Sequence, residues 1–159
     1  MKPVIPECDP RSQNAYAITD LDGRFIQADA RYAEILDFPL DVLLTKNVSE
    51  VTHPEDWQAN ARLIEDLVRH GRPFRVRKRY LRRGGHAVWV EVRAAKVSGC
   101  DAGGSLIAIC RPLPVTSTPI LRPPLPLPMR EVDLTVLRRA FDRIAESRAL
   151  LDRTERWLR

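Results

Sequence analysis

The side chains best able to ligate a metal or attack a carbonyl are three histidines and three cysteines. They are His53, His70, His86, Cys8, Cys100 and Cys110. The histidines are too far apart for metal-ligand spacing, and an odd number of scattered cysteines argues against a disulfide framework. The sequence contains no glycine-rich phosphate loop, nucleophile elbow or kinase signature. It therefore predicts that the protein is not an enzyme.

A run of basic residues is the second feature that could have a chemical function. Between Arg69 and Arg83 there are eight lysines and arginines and no acidic residue. Within it, Phe74, Val76, Lys78 and Tyr80 alternate with arginines, which predicts a strand with one mainly apolar face and one cationic face. The cationic face, Arg75, Arg77 and Arg79, suits an anionic ligand or nucleic acid. The alternative is a solvated face balanced by acidic residues elsewhere, and the sequence favours that alternative over nucleic acid.

Length and composition bound the architecture. A chain of 159 residues accommodates one ordinary domain and an appendage, and a 30% share of charged residues is typical of a soluble globular protein. No apolar run approaches the ~18 residues needed to cross a bilayer, and the N-terminus has no apolar signal core. We therefore expect a cytoplasmic protein without a membrane span.

The elements that must position these residues follow from turn and cap signals. After an N-terminal arm over residues 1–14, Asp22-Gly23 predicts a tight hairpin turn between two strands. Thr52 to Glu55 reads as a capping box that opens a helix, which Gly71 and Pro73 end. Two shorter helices precede it, separated at Pro39. Two strands around a turn at 82–86 and a last strand complete the order β-β-α-α-α-β-β-β.

The last part of the chain contains two segments of different composition. Residues 113–128 are rich in proline and predict an extended linker. Residues 129–159 lack glycine and proline and predict an amphipathic helix with a heptad seam. The seam comprises Leu134, Leu137, Phe141, Ile144, Leu151 and Leu158, and is interrupted at Arg148 and Glu155. It could form a coiled coil between two chains, or pack on the chain's own sheet or in a partner's groove.

Three sequence segments, in this order along the chain, resemble those of a PAS sensor domain. They are the strand-turn-strand around Asp22-Gly23, the helix start His53-Pro54-Glu55-Asp56, and the hairpin from Arg82 that continues into Trp89-Val90. The resemblance spans residues 15–112 and implies an α+β fold, a five-stranded antiparallel sheet with helices on one side. The chain departs from the common pattern in having Asp29 for an asparagine, Asp37 for the glycine that closes the first helix, and Gly84 for an aspartate.

The resemblance also implies a pocket between the sheet and the helices. Its predicted lining is Ile18, Ile35, Leu36, Trp57, Ile64, Leu67, Val76, Tyr80, Val88, Val90 and Ile109. These side chains either enclose a small ligand or simply fill the core, and their aliphatic character favours the second reading. The run that forms a flavin-thiol adduct in photosensing members has no counterpart here. His70 lies near the haem-ligand position of oxygen-sensing members, but it also suits a helix C-terminus, so we expect neither haem nor flavin.

The resemblance thus implies a bacterial-type, stand-alone sensor or adaptor. We expect it to form a homodimer, with help from the C-terminal helix, and to regulate a partner signalling protein such as a kinase or regulator. Two alternatives remain. One is a small-molecule or haem sensor that uses the pocket, and the other is an anion or nucleic-acid binder that uses Arg75, Arg77 and Arg79.

Overall fold

The computed structural model describes residues 13–97, 104–114 and 126–129. The order of elements is β1 (Ala15–Thr19), β2 (Phe25–Ala28), α1 (Ala30–Leu36), α2 (Leu40–Leu43), α3 (Val48–Val51), α4 (Pro54–His70), β3 (Phe74–Leu81), β4 (Ala87–Val97), β5 (Ser105–Pro112) and β6 (Pro126–Leu127). The predicted arm up to residue 12, the heptad seam, Cys8 and Cys100 all lie outside the described residues.

The strands form one antiparallel sheet in the order β2-β1-β5-β4-β3-β6. The five predicted strands are present, but the prediction that residues 113–128 are only a linker was incomplete. Its end forms β6, where Leu127 pairs with Arg75 and Pro126 with Val76. Proline is tolerated there because an edge strand need not donate every hydrogen bond.

Local signals explain the hairpin and the first helix. In the β1–β2 turn, Gly23 adopts φ 86°, and Asp20 Oδ1 accepts hydrogen bonds from the backbone N–H groups of Asp22 and Arg24. Asp29 caps α1 by accepting from Tyr32 N at 2.7 Å. Asp37 closes that helix at φ 58°, the left-handed conformation that the missing glycine would adopt.

The helical region differs from prediction in two ways. A fourth helix, α3, forms because Asn47 and Glu50 make a complete capping box. The predicted box at the start of α4 was wrong. His53 is the N-cap, and its Nδ1 accepts from Glu55 N at 3.3 Å. Thr52 does not cap α4 because its hydroxyl lies in the interior and donates to Val48 O at 2.8 Å.

The sheet has two different faces. The helices and the inner face enclose the main core, to which Tyr32, Leu36, Leu67, Val76 and Val90 contribute. On the outer face, a smaller cluster contains Ile18, Val97, Ile107 and Ile109. Alternation along each strand therefore decides which side chains meet the helices.

Candidate functional site

Lys78 lies in the interior, on the sheet face that the helices cover. It follows Val76 and precedes Tyr80 on that face, and is 2% exposed. Its Nζ donates hydrogen bonds to Asn60 Oδ1 at 2.9 Å and to Thr52 Oγ1 at 3.3 Å. The ammonium also lies 4.7 Å from the centroid of the Tyr80 ring. The inner face is therefore not uniformly apolar.

Asn60 holds the lysine from the opposite side. It projects from the middle of α4 and is 1% exposed. While its Oδ1 accepts from Lys78, its Nδ2 finds no acceptor in the part of the chain that the structure describes. A buried amide N–H without an acceptor costs free energy, and calls for an explanation such as a bound molecule.

Two tyrosines extend the polar region across the core. Tyr32 in α1 and Tyr80 in β3 share a hydrogen bond of 2.7 Å between their hydroxyl oxygens, and both are buried. Since one hydroxyl donates to the other, the second O–H remains available. Burial raises the pKa of both tyrosines, so they stay neutral donors. We call Lys78, Asn60, Thr52, Tyr32 and Tyr80 the Lys78 cluster.

Among the described residues, no carboxylate is bonded to the Lys78 ammonium. Burial lowers its pKa to about 7, because the interior penalises the ammonium form. Asp56 acts on it only electrostatically, since its carboxylate accepts from Arg79 N at 2.8 Å and from the Arg79 guanidinium at 2.7 Å. Burial would raise the pKa of Asp56, but those hydrogen bonds outweigh it and lower the pKa.

Chemically, the Lys78 cluster has more donors than acceptors. Among the described residues, Asn60 Nδ2–H has no acceptor, only one of the two tyrosine hydroxyls donates in their shared bond, and the ammonium has a third N–H beyond its two hydrogen bonds. Cys110, fully buried on the same face, adds a thiol whose pKa burial raises to about 12. The arrangement is therefore suited to a molecule that brings acceptor oxygens.

The outer face carries the opposite arrangement around Glu91, which is fully buried. Its carboxylate accepts from Arg75 at 2.9 Å, Arg77 at 3.3 Å and Arg111 at 3.4 Å. Burial would raise the pKa of Glu91, but the arginines, Arg75 above all, lower it. This site holds three strands together.

The arginines predicted as a cationic face are thus engaged within the protein. Arg75 and Arg77 bond to Glu91, while Arg79 bonds to Asp56 and to Glu55 and lies 5.4 Å from the Trp89 ring centroid. Their sharing of one strand was predicted correctly. Their charges are balanced by acidic residues, as the alternative expected, but Arg75 is buried rather than solvated.

The predicted pocket lining divides between the two faces. Residues of the main core are Ile35, Leu36, Leu67, Val76, Tyr80 and Val90, with Trp57, Ile64 and Val88 partly buried against it. Ile18 and Ile109 were assigned wrongly, because both project from the outer face into the smaller cluster. Strands β1 and β5 are apolar on both faces, so their sequences could not indicate which face meets the helices.

A groove follows the flank of α4 and meets the β1–β2 turn. Its volume is about 310 Å³, and its lining is Leu21, Asp22, Gly23, Trp57, Ala61, Ile64, Glu65, Val68 and Arg69. Two predicted pocket residues, Trp57 and Ile64, thus face this groove. Ala61 follows Asn60 in the helix, so the groove and the Lys78 cluster share one helical segment.

His70, considered above as an iron ligand, is at the end of α4. Its side chain is 55% exposed, and its Nε2 lies 3.8 Å from Asp66 Oδ1. It does not face the main core. Within residues 13–97, 104–114 and 126–129, no group of three or more histidine, cysteine, aspartate or glutamate side chains could hold a metal ion.

Sequence reasoning missed the residues that make the interior polar. The alternation of residues in β3 correctly predicted that Lys78 shares a face with Val76 and Tyr80. That face was, however, predicted to be mainly apolar. A lysine at an inward position is itself a signal, because a buried amine needs partners. Asn60 and Thr52 gave no comparable signal, since helical and loop positions are common for both residue types.

Helices on one face of an antiparallel sheet, enclosing a partly polar interior, define a domain of the α+β class. The model of the PAS fold family matches residues 25–107, about half of the sequence. The chain belongs to the PAS family.

Solved structures share this fold. The PAS domain of a protein from Colwellia psychrerythraea is 21% identical with a TM-score of 0.55, over 64% of this chain and 87% of that one. A domain of a sensory box sensor histidine kinase/response regulator from Geobacter sulfurreducens is 19% identical with a TM-score of 0.54, over 64% and 84%. The PAS-B domain of Drosophila melanogaster Cycle, with bound ethylene glycol, is 14% identical with a TM-score of 0.57, over 62% and 99%.

The comparisons support a signal-sensing module. Among the helices of the described residues, none is both long and apolar enough to span a membrane.

Proposed function

We propose that this protein is a cytoplasmic, dimeric PAS sensor that takes up a small molecule in its interior and regulates a partner signalling protein, without a catalytic output of its own. The Lys78 cluster is the observation that carries the proposal. A domain that served only as an adaptor would need a packed core, for which aliphatic side chains suffice. Burying an ammonium and an unsatisfied amide instead costs stability.

The cluster also connects elements that a ligand would have to move. Lys78 and Tyr80 belong to β3, Asn60 to α4 and Tyr32 to α1. A molecule that bonds to these side chains alters the packing of both helices on the sheet. That change is the structural event to be passed to residues 130–159 and on to the partner.

Analysis of the purified protein tests the sensing role. We expect a colourless protein from which denaturation releases a stoichiometric small molecule, identified by mass spectrometry. The intense visible colour typical of haem would contradict this expectation. A protein that releases nothing and is stabilised by no compound in a metabolite screen would be an adaptor instead.

Light scattering tests the dimer. Removing residues 130–159 should halve the molar mass. Met129 is kept because it packs against the smaller apolar cluster on the outer face of the sheet. Leu137→Glu should have the same effect, because a charge in the heptad seam opposes helix pairing. Thr135→Glu, which lies off the seam, is the matched control and should remain dimeric. An unchanged mass for the truncated protein would refute the role of the C-terminal helix.

A further inference from the structure

We propose that the Lys78 cluster is a binding site for short-chain carboxylates, held by Lys78 and Asn60. The inference rests on the proposed sensing function and names the ligand class. It follows from the balance of donors, from the electrostatics and from the surroundings of these two side chains.

The hydrogen-bond donors of Asn60 and Lys78 indicate which polar group the ligand would carry. Asn60 Nδ2 has no acceptor among the described residues, and Lys78 Nζ bonds only to the neutral oxygens of Asn60 and Thr52. A carboxylate has two acceptor oxygens, so one group could bond to the ammonium and to the amide together. An amine or ammonium ligand would add donors to a site that already has too many.

Electrostatics select an anion over a neutral acceptor. Lys78 is a buried cation, and the carboxylate of Asp56 is already bonded to Arg79. An ionised ligand would pair with the ammonium inside the protein, where charge-assisted hydrogen bonds are strongest. The site thus resembles half of a buried ion pair.

The surroundings limit the rest of the ligand. The main core that contains Tyr32 and Tyr80 is otherwise largely aliphatic, with Val51, Leu67, Val76 and Val90 among its buried side chains. A short aliphatic tail is compatible with these neighbours, whereas a second charge would be buried without a partner. Acetate, butyrate and hexanoate are therefore the probes.

Binding should be linked to protonation. The titratable groups that act on or near Lys78 are Asp56 on α4, Cys110 on β5, Tyr80 on β3 and Tyr32 on α1. Only Lys78 changes charge near pH 7, so a carboxylate should draw about half a proton into the site at that pH. Affinity should consequently fall as the pH rises above 7.

The test uses the full chain and compares each acid with its uncharged amide, for example butyrate with butyramide. We expect at least one acid to raise the melting temperature and its amide to have little effect. Calorimetry in two buffers of different ionisation enthalpy should show proton uptake. Lys78→Met should weaken binding about tenfold or more, while Lys46→Met, which removes a surface lysine bonded to Glu50, should not.

Asn60→Asp is the sharper variant, because it places a carboxylate beside Lys78 within the chain. We expect it to stabilise the folded protein, to raise the pKa of Lys78 seen by carbon NMR at Cε, and to abolish the response to the acids. It remains informative if Lys78→Met fails to fold.

Two results would overturn the proposal. One is that none of the three acids stabilises the wild type more than its amide does. The other is that wild type and Asn60→Asp respond equally, which would mean that the acids bind elsewhere and that water satisfies Asn60. If the acids fail but another molecule is extracted from the purified protein, the sensing function stands and only the ligand class is wrong.

Discussion

Glu91 and Lys78 are buried charges on opposite faces of the same sheet, and their environments are opposite. Glu91, on the outer face, accepts from three arginines. Lys78, on the inner face, bonds to one amide and one hydroxyl and, within the described part of the chain, to no carboxylate. Each is less than about 3% exposed, so solvent does not compensate either charge.

The difference separates a site whose charge is fixed from one whose charge varies with pH. The positive charge of the three arginines keeps Glu91 ionised at every pH near neutrality, so the Glu91 site has one protonation state. Lys78 has a pKa of about 7, so its charge depends on pH and on any molecule beside it. The inner face therefore carries the buried charge whose protonation varies near neutral pH.

The largest expected effect comes from Glu91→Gln. This substitution retains the shape of the side chain but leaves the largely buried Arg75 without its carboxylate, which should cost about 3 kcal/mol of stability. Urea unfolding measures the loss. Glu55→Gln is the matched control, because Glu55 is 67% exposed and its pair with Arg79 contributes little. Equal losses in the two variants would contradict the comparison.

The second largest effect is the dependence of the free energy of unfolding on pH that Lys78 causes. Its pKa is lowered from the ~10.4 of an unfolded lysine to about 7, so between these values the unfolded chain binds more protons and stability rises with pH. From pH 7 to 8.5 we expect the free energy of unfolding to increase by about 1–2 kcal/mol. Lys78→Met should flatten this rise, and an undiminished rise in the variant would assign it to another group.

Cys110 provides a third, opposite effect. Its pKa is raised to about 12 in the folded protein, so above the ~8.5 of an unfolded thiol the folded state binds more protons and stability falls with pH. Wild-type stability should therefore level off between pH 8.5 and 10. In Cys110→Ala the rise should continue, with a slope greater by about 1 kcal/mol per pH unit. Parallel curves would show that the thiol does not titrate as its burial requires.

The smallest effect concerns the hydrogen bond from Lys78 to Thr52. Thr52→Val removes the hydroxyl that accepts at 3.3 Å, with little change of shape. We expect a loss of about 1 kcal/mol and a lower pKa of Lys78, since the ammonium loses a partner. NMR titration of the Lys78 Cε signal measures the shift. A pKa that rises in this variant would mean that the lysine bonds elsewhere.

Local features of the fold were predictable because neighbouring residues decide them. The Asp22-Gly23 turn and the end of α4 at Gly71 depend on backbone conformations that few residue types other than glycine adopt. Strand β6 was not predictable, since its pairing with Arg75 brings together residues about fifty positions apart.

The candidate site shows where such reasoning ends. Alternation in β3 placed Lys78 on the inner face, yet Asn60, 18 residues earlier, entered the site only through the packing of α4 on the sheet. Ile18 and Ile109 show the same limit, because apolar residues occupy both faces of their strands.

By itself, the sequence determined the order of the five main strands, the positions of the turns and the family resemblance, all of which depend on local conformation and on periodicity, but not helix α3 or strand β6. Only the tertiary structure decided that Glu91 is surrounded by arginines while Lys78 bonds to the neutral oxygens of Asn60 and Thr52. The reason is physical: the pKa and the energy of a buried charge depend on which distant groups the fold brings within a few ångströms of it.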